Sequence, residues 1–156
     1  MAKHLDLEEQ EQLDQLKHFW AQYGNLITWL LIAVLGGFAA WNGWNYWQRT
    51  QATKAAALFD EIERASGAKD AEKIERALAD MKDRFGGTSY AAQGALLAAR
   101  SLFEAGKPDG AKAALAWVAE KSSDESLQAV ARLRLAGVHL EAKAFDEALK
   151  VLEAPM

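Results

Sequence analysis

The chain has 156 residues and a formal net charge of −4, which leaves room for one small domain beside any membrane segment. It contains no cysteine, which excludes a disulfide framework, a cysteine-ligated zinc site and thiol catalysis. No basic stripe suggests a nucleic-acid partner, and the prevalence of helix-forming residues without strand-like alternation predicts an all-α fold.

The first predicted element is a helix that spans a membrane. No Lys, Arg, Asp or Glu occurs from Phe19 to Gln48, and about 20 apolar residues suffice to cross a bilayer as a helix. A buried core helix is disfavoured because a domain this small could not enclose it, and a cleaved signal peptide would have a shorter apolar region after a basic start. We therefore predict a tail over residues 1–22, an uncleaved anchor over 23–47 and a helical domain over 48–156.

Aromatic residues mark both ends of the uncharged run. Indole and phenol rings favour the boundary between lipid headgroups and hydrocarbon, so we expect them to hold the helix at the two membrane interfaces. Membrane lipid is therefore an expected partner. The predicted interface anchors are Trp20, Tyr23, Trp41, Trp44 and Trp47.

Small residues about one turn apart form a second feature of the anchor. Such residues let two helices approach closely in lipid, although glycine and alanine are also simply common in membrane helices. The predicted helix-packing face comprises Ala33, Gly36, Gly37 and Ala40.

The charges that flank the anchor give only a small signal about its direction. Lys17 precedes the anchor, whereas Arg49, Lys54 and Arg64 follow it. Because cytoplasmic flanks carry the excess of lysine and arginine, this count favours a cytoplasmic position for the C-terminal domain.

Glycines and prolines divide the rest of the chain into helices. Gly106 is predicted to be a left-handed cap. The segment from Ser122 to Glu125 has capping-box spacing, and Asp124 with Glu125 is better explained as a helix cap than as a catalytic carboxylate pair. The pattern predicts helices over residues 51–66, 70–85, 89–105, 109–121 and 126–142, and a sixth from Phe145 or Asp146.

Two stretches of this helical region resemble each other. Residues 99–115 can be laid on residues 136–152 at a period of 37, near the roughly 34 residues of a tetratricopeptide repeat. Small residues would let paired helices approach closely, and leucines would fill the next layer. The predicted repeat-packing residues are Ala99, Ala111, Leu115, Ala136, Ala148 and Leu152.

The predicted fold is thus a single N-terminal transmembrane helix followed by a tetratricopeptide-like helical-repeat solenoid. Stacked helical pairs of this kind expose a concave groove that suits an extended or helical peptide. The pattern therefore predicts a protein that binds other proteins.

Side chains that usually carry chemistry are sparse. His4, His18 and His139 have no partner at metal-ligand spacing, and His139 is expected to serve packing. The sequence has no glycine-rich phosphate loop and no nucleophile elbow. We therefore predict no cofactor, no metal site and no enzyme activity.

Three further side chains have two interpretations each. Arg132 and Arg134 either line a groove that meets acidic partners or belong to a solvated helix face. Trp117 is either a core residue or an anchor for a bound partner. In each case the structural role is the more common one.

Three stretches of the chain resemble the ancillary SecYEG translocon subunit family, also called YfgM-like. They are the tail motif over residues 12–24, the end of the anchor over 43–47, and the segment over 123–138. The resemblance runs from about Leu7 to the C-terminus. Members of this family have a short tail, one membrane helix and a tetratricopeptide-like domain.

The resemblance implies a protein of the bacterial inner membrane with a cytoplasmic N-terminus and a periplasmic C-terminal domain. This direction is opposite to the one that the flanking charges favour. It also implies three kinds of partner: the SecYEG translocon, a periplasmic chaperone of the PpiD type, and newly translocated client polypeptides. The alternative function is a bitopic repeat scaffold for another envelope complex, such as division or secretion machinery.

The C-terminus departs from the pattern of the family. Members normally continue with further helical repeats, whereas this chain ends at Met156, within the second helix of a repeat. The resemblance therefore predicts a truncated product.

Overall fold

The computed structural model describes the backbone of residues 7–153 and the side chains of residues 10–153. Every regular element in this range is a helix, which confirms the predicted all-α fold. Residues 1–6 of the predicted tail and residues 154–156 of the predicted helical domain lie outside the described residues. The helices are α1 (Leu7–Gly67), α2 (Ala71–Phe85), α3 (Ser89–Glu104), α4 (Pro108–Lys121), α5 (Glu125–Glu141) and α6 (Phe145–Glu153).

Helix α1 is longer than the sequence predicts. The sequence predicts a separate helix over residues 51–66, whereas α1 continues without a break from Leu7 to Gly67. The physical reason is that no glycine or proline lies between Gly43 and Gly67, and most of the residues there are good helix formers. The chain divides after Trp47 into two compact units.

The part of α1 before Gln48 carries the uncharged run. Its large apolar side chains are exposed, and an 18-residue window within it has a mean hydropathy of 1.6, with only 6% of that window buried. By length and composition, α1 is the one helix among residues 7–153 that could cross a membrane. Its low burial argues against the alternative of a core helix, because a core helix is enclosed on all sides.

From Gln48 onward the helices enclose an apolar core. Alanines occupy many of its buried positions, and a small side chain lets the axes of neighbouring helices come close together. Bulkier residues fill the spaces between these contacts. The largest fully buried side chains are Ile62, Ile74, Met81, Leu102 and Val118.

The same left-handed turn ends the first helix of three successive pairs. Its φ angle is 56° at Lys69, 75° at Gly106 and 57° at Lys143, at intervals of 37 residues. In each turn the following N–H donates to the carbonyl five residues earlier, which is the Schellman arrangement that satisfies a helix end. These bonds run from Asp70 to Ala65, from Lys107 to Leu102 and from Ala144 to His139, at 2.9, 2.8 and 2.8 Å.

The shared turn identifies three helical pairs, each of which is one copy of the same repeat. The first pair consists of the end of α1 and α2, the second of α3 and α4, and the third of α5 and α6. The sequence shows a clear likeness between the last two pairs alone, because Ile74 in the first pair replaces the alanine found at Ala111 and Ala148.

The helix caps agree with the sequence at Gly106 and Asp124 and differ at Ser122. Gly106 has the predicted left-handed conformation. The cap of α5 is Asp124, whose carboxylate accepts hydrogen bonds from the N–H groups of Ser126 and Leu127. The predicted capping box from Ser122 is therefore wrong, since Ser122 ends α4 and its carbonyl accepts a bond from the side chain of Gln128.

Candidate binding cleft

A cleft of about 280 Å³ lies between α3 and α5, with one side chain of α4 at its floor. Residues spaced by three and four along α3 supply one wall, because this spacing returns to the same face of a helix. The surface inside is largely apolar. Its apolar side chains are Leu96, Ala99, Phe103, Leu115 and Val138.

Two pairs of charged residues form the rim of this cleft. On α3, the Nε of Arg100 donates to Oε1 of Glu104 at 2.8 Å. The hydrogen bond from Arg100 to Glu104 and the negative charge of that carboxylate raise the pKa of Arg100. On α5, Arg134 and Glu141 line the cleft and form no ion pair with any described residue. The two charges on the α3 side of the rim therefore neutralise each other, whereas the two charges on the α5 side form no ion pair with any described residue.

Gly137 lies between the two charged residues of the α5 rim. It also lines the cleft, and a Cβ added there would meet no atom within 4 Å. Gly137 is in the interior of α5, where glycine is less favourable than alanine. Nothing in the described residues therefore requires this position to lack a side chain.

The predicted repeat-packing residues fall into two groups. Five of the six are buried, and these are Ala99, Ala111, Leu115, Ala136 and Ala148. Leu152 does not fill a layer as the sequence predicts, because it is 52% exposed. Among the described helices, α6 packs on α5, and this contact leaves Leu152 half-exposed.

The predicted membrane residues are all exposed along α1. This holds for the interface anchors Trp20, Tyr23, Trp41, Trp44 and Trp47 and for the packing face of Ala33, Gly36, Gly37 and Ala40. The ring centroids of Trp44 and Trp47 are 5.4 Å apart, and an added Cβ on Gly24 would lie 3.2 Å from the indole of Trp20. Their roles in lipid remain predictions.

The structure also positions the residues with two interpretations. Trp117 is half-buried against the core, and the ammonium of Lys82 lies 5.7 Å from its ring centroid. This arrangement favours a packing role. Arg134 reaches the cleft, whereas Arg132 does not line it. No group of three His, Asp or Glu side chains within the described part of the chain could hold a metal ion.

Comparison with known proteins accounts for this combination of apolar helix and repeats. The model of the tetratricopeptide repeat-like domain matches residues 17–156. A protein of Neisseria gonorrhoeae called "Ancillary SecYEG translocon subunit" is 34% identical over 157 residues, which cover all of this chain and 74% of the relative. The chain belongs to the ancillary SecYEG translocon subunit family.

A second relative in this family supports the assignment. A protein of Haemophilus influenzae with the same name is 29% identical over 150 residues, which cover 94% of this chain and 71% of the relative. No solved structure matches the chain. The resemblance to this family and the prediction of a tetratricopeptide-like domain are both confirmed.

The cleft is the feature of this family member that the sequence reveals least. Arg134 is predicted as one possible groove residue, but Gly137 and Glu141 receive no role from the sequence. The only available signal is a glycine in the interior of a helix, flanked at three and four residues by opposite charges. This pattern on α5 indicates a binding site only once the structure shows that α3 lies opposite it.

Proposed function

We propose that this protein is a membrane-anchored interaction module that works beside the SecYEG translocon. The observation that carries the proposal is the 34% identity, along the whole of this chain, with a protein named as an ancillary subunit of that translocon. The exposed apolar part of α1 supports anchoring in the bacterial inner membrane. An interaction role agrees with the tetratricopeptide repeat-like domain, since stacked helical pairs present extended binding surfaces.

We further propose that the anchor crosses the membrane once, with residues 1–22 in the cytoplasm and residues 48–156 in the periplasm. The family resemblance supports this direction, whereas the lysines and arginines that flank the anchor favour the reverse. In this arrangement the repeat domain meets polypeptides as they leave the translocon. Its expected partners there are a chaperone of the PpiD type and the translocated polypeptides themselves.

Photo-crosslinking from the anchor tests the association with the translocon. A benzoylphenylalanine at Ala40 places the probe on the small-residue face of α1, and the same probe at Leu35 provides a control on the opposite face. We expect crosslinks to SecYEG subunits from Ala40 and fewer from Leu35, because small residues permit close helix contact. Crosslinks to a division or secretion complex without SecYEG would instead support the alternative of a bitopic scaffold.

The absence of native cysteine makes the direction of the anchor easy to measure. Single cysteines at Gln12, in the tail, and at Ala113, on the exposed surface of α4, report the two sides. In intact spheroplasts, we expect a membrane-impermeant maleimide to label the cysteine at Ala113 and to reach the one at Gln12 only after permeabilisation. The reverse pattern would overturn the proposed direction.

A further inference from the structure

We infer that the α3–α5 cleft receives one apolar side chain of an extended polypeptide, with an acidic residue of that polypeptide at Arg134 and a basic residue at Glu141. This inference rests on the proposed binding function of the repeat domain and names the kind of segment that the domain holds. Three observations carry it: the apolar interior of the cleft, the space at Gly137 and the unpaired charges of the α5 rim.

The interior and the size of the cleft suit a side chain. Leu96, Phe103 and Val138 present apolar surface to the opening, and contact with an apolar group would remove that surface from water. The volume of about 280 Å³ lies at the lower limit of small-molecule pockets, which span roughly 300–1,000 Å³. A side chain that enters from a polypeptide passing over the cleft fits this space.

The space at Gly137 adds to the room that the cleft offers an external group. A glycine in a helix interior is normally explained by the close approach of another element, as at Gly94, where an added Cβ would lie 2.8 Å from Sδ of Met81. At Gly137 the space is open instead. The missing side chain leaves room for a group that comes from outside the described chain.

The charges of the rim define what lies on either side of the apolar group. Arg134 and Glu141 are seven residues apart, which is about 10.5 Å along a helix. Side chains of an extended chain alternate between two faces, so residues two and four positions apart face the cleft together, and four positions span about 13 Å at roughly 3.3 Å per residue. The complementary segment therefore has an acidic and a basic residue four positions apart, whose long side chains reach inward to Arg134 and Glu141, with an apolar residue midway between them.

Fluorescent peptides test this recognition with the full chain in lipid nanodiscs. The probe has the core Glu-Ala-Leu-Ala-Lys between Gly-Ser flanks and is made in both chain directions, with the tighter direction used for comparison. By fluorescence anisotropy we expect the core Glu-Ala-Ser-Ala-Lys to bind about tenfold or more weakly, because a buried leucine is lost. The core Glu-Ala-Leu-Ala-Glu is expected to bind about two- to fivefold more weakly, because one exposed ion pair is lost. Equal binding of the leucine and serine peptides would overturn the inference.

A substitution that fills the cleft tests whether the peptide binds there. We expect Gly137→Leu to weaken binding of the Glu-Ala-Leu-Ala-Lys probe about tenfold while the melting temperature stays at or above that of the parent chain. Ala113→Leu adds the same side chain to the exposed surface of α4 and should leave binding unchanged. Gly137→Ala serves as a smaller replacement if the leucine variant melts earlier. Undiminished binding in a Gly137 variant that folds normally would contradict the assignment.

A charge exchange tests the polarity of the rim without changing the interior. Arg134→Glu should weaken binding of the Glu-Ala-Leu-Ala-Lys probe, and a peptide with the core Lys-Ala-Leu-Ala-Lys should then bind the variant more tightly than the original probe does. The same peptide should not be preferred by the parent chain. A variant that shows no such exchange would contradict the placement of the acidic residue at Arg134.

These peptide measurements contain no translocon. They therefore test peptide binding in the cleft independently of the proposed association with SecYEG. Recovery of SecYEG with a Gly137→Leu chain that no longer binds the probe would support both. Recovery of SecYEG with a parent chain that never binds the probe would overturn the cleft alone. Normal probe binding by a chain that never recovers SecYEG would overturn the proposed location alone.

Discussion

The second and third helical pairs have the same turn and the same repeat period but very different surfaces. Leu96 in α3 is 8% exposed, whereas its equivalent in α5, Leu133, is 67% exposed. Leu115 in α4 is 2% exposed, and its equivalent Leu152 is 52% exposed. Since each pair of equivalents is leucine at the same repeat position, the difference arises from the neighbouring helices. Burial in this fold is a property of the stack and not of the single pair.

The largest test of this comparison replaces the equivalent leucines one at a time. Leu115→Ala leaves a cavity within the core and is expected to lower the free energy of unfolding by about 2 to 5 kcal/mol. Leu152→Ala removes a side chain that is already half in water, so we expect a loss below about 1 kcal/mol. Urea titrations of the full chain in detergent micelles, followed by far-ultraviolet circular dichroism, measure both. Equal losses would show that the two pairs are packed alike.

The comparison also explains which parts of the fold follow from the sequence. Helices α2 to α6 are predicted nearly in full because glycine, proline or a capping residue marks several of their ends, as at Gly106, Pro108 and Asp124. The membrane segment is predicted because an uncharged, apolar composition is by itself enough to indicate a helix that lies in lipid and not in water. The continuity of α1 is not predicted. The change from apolar to charged residues along α1 resembles the boundary between two helices, although no residue there breaks the helix.

The cleft depends on features that a single repeat does not contain. The spacing of Arg134, Gly137 and Glu141 predicts that they share a face of α5, but it does not predict which helix that face meets. Leu152 is a second example of this limit on prediction from sequence. The repeat pattern predicts its position in a layer, but it does not predict whether a neighbouring helix covers it. The sequence does not predict the left-handed turns at Lys69 and Lys143, because lysine seldom adopts that conformation.

A smaller effect is expected at the turn of the second pair. Gly106 has a φ angle of 75°, and an alanine there would strain the backbone although no neighbouring atom blocks its Cβ. We expect Gly106→Ala to lower the free energy of unfolding by about 1 to 2 kcal/mol. The same denaturation experiment measures the loss. Gly67→Ala provides a control, because the Cβ there is also unobstructed and its φ angle is not positive. A stable Gly106→Ala chain would mean that the turn adapts to a different conformation.

The contact between the first and second pairs depends on a glycine where the third pair has an alanine. Gly94 of α3 is equivalent to Ala131 of α5, and an added Cβ at Gly94 would approach Sδ of the buried Met81 at 2.8 Å. Overpacking costs about 1 to 3 kcal/mol, and the better helix propensity of alanine offsets up to about 1 kcal/mol. We therefore expect Gly94→Ala to destabilise the chain by about 1 kcal/mol in the same titrations.

A second substitution tests whether Met81 is the cause of that loss. Met81→Ala combined with Gly94→Ala removes the obstructing sulfur, so the added methyl should then cost less than it does beside methionine. A double-mutant cycle gives the coupling between the two positions. Strict additivity of the two losses would contradict the close approach at Gly94.

The smallest expected effect is a gain, and it comes from making the third turn resemble the second. Lys143 holds a φ angle of 57°, which is unfavourable for any residue with a side chain, and glycine would adopt it without strain. The greater freedom of glycine in the unfolded chain offsets part of this relief. We therefore expect Lys143→Gly to raise the free energy of unfolding by about 0.5 kcal/mol. Lys143→Ala is the matched control, because it also removes the charge but keeps the strain. A gain of equal size in both variants would assign the effect to the lost charge, and the left-handed turn would then cost the third pair nothing.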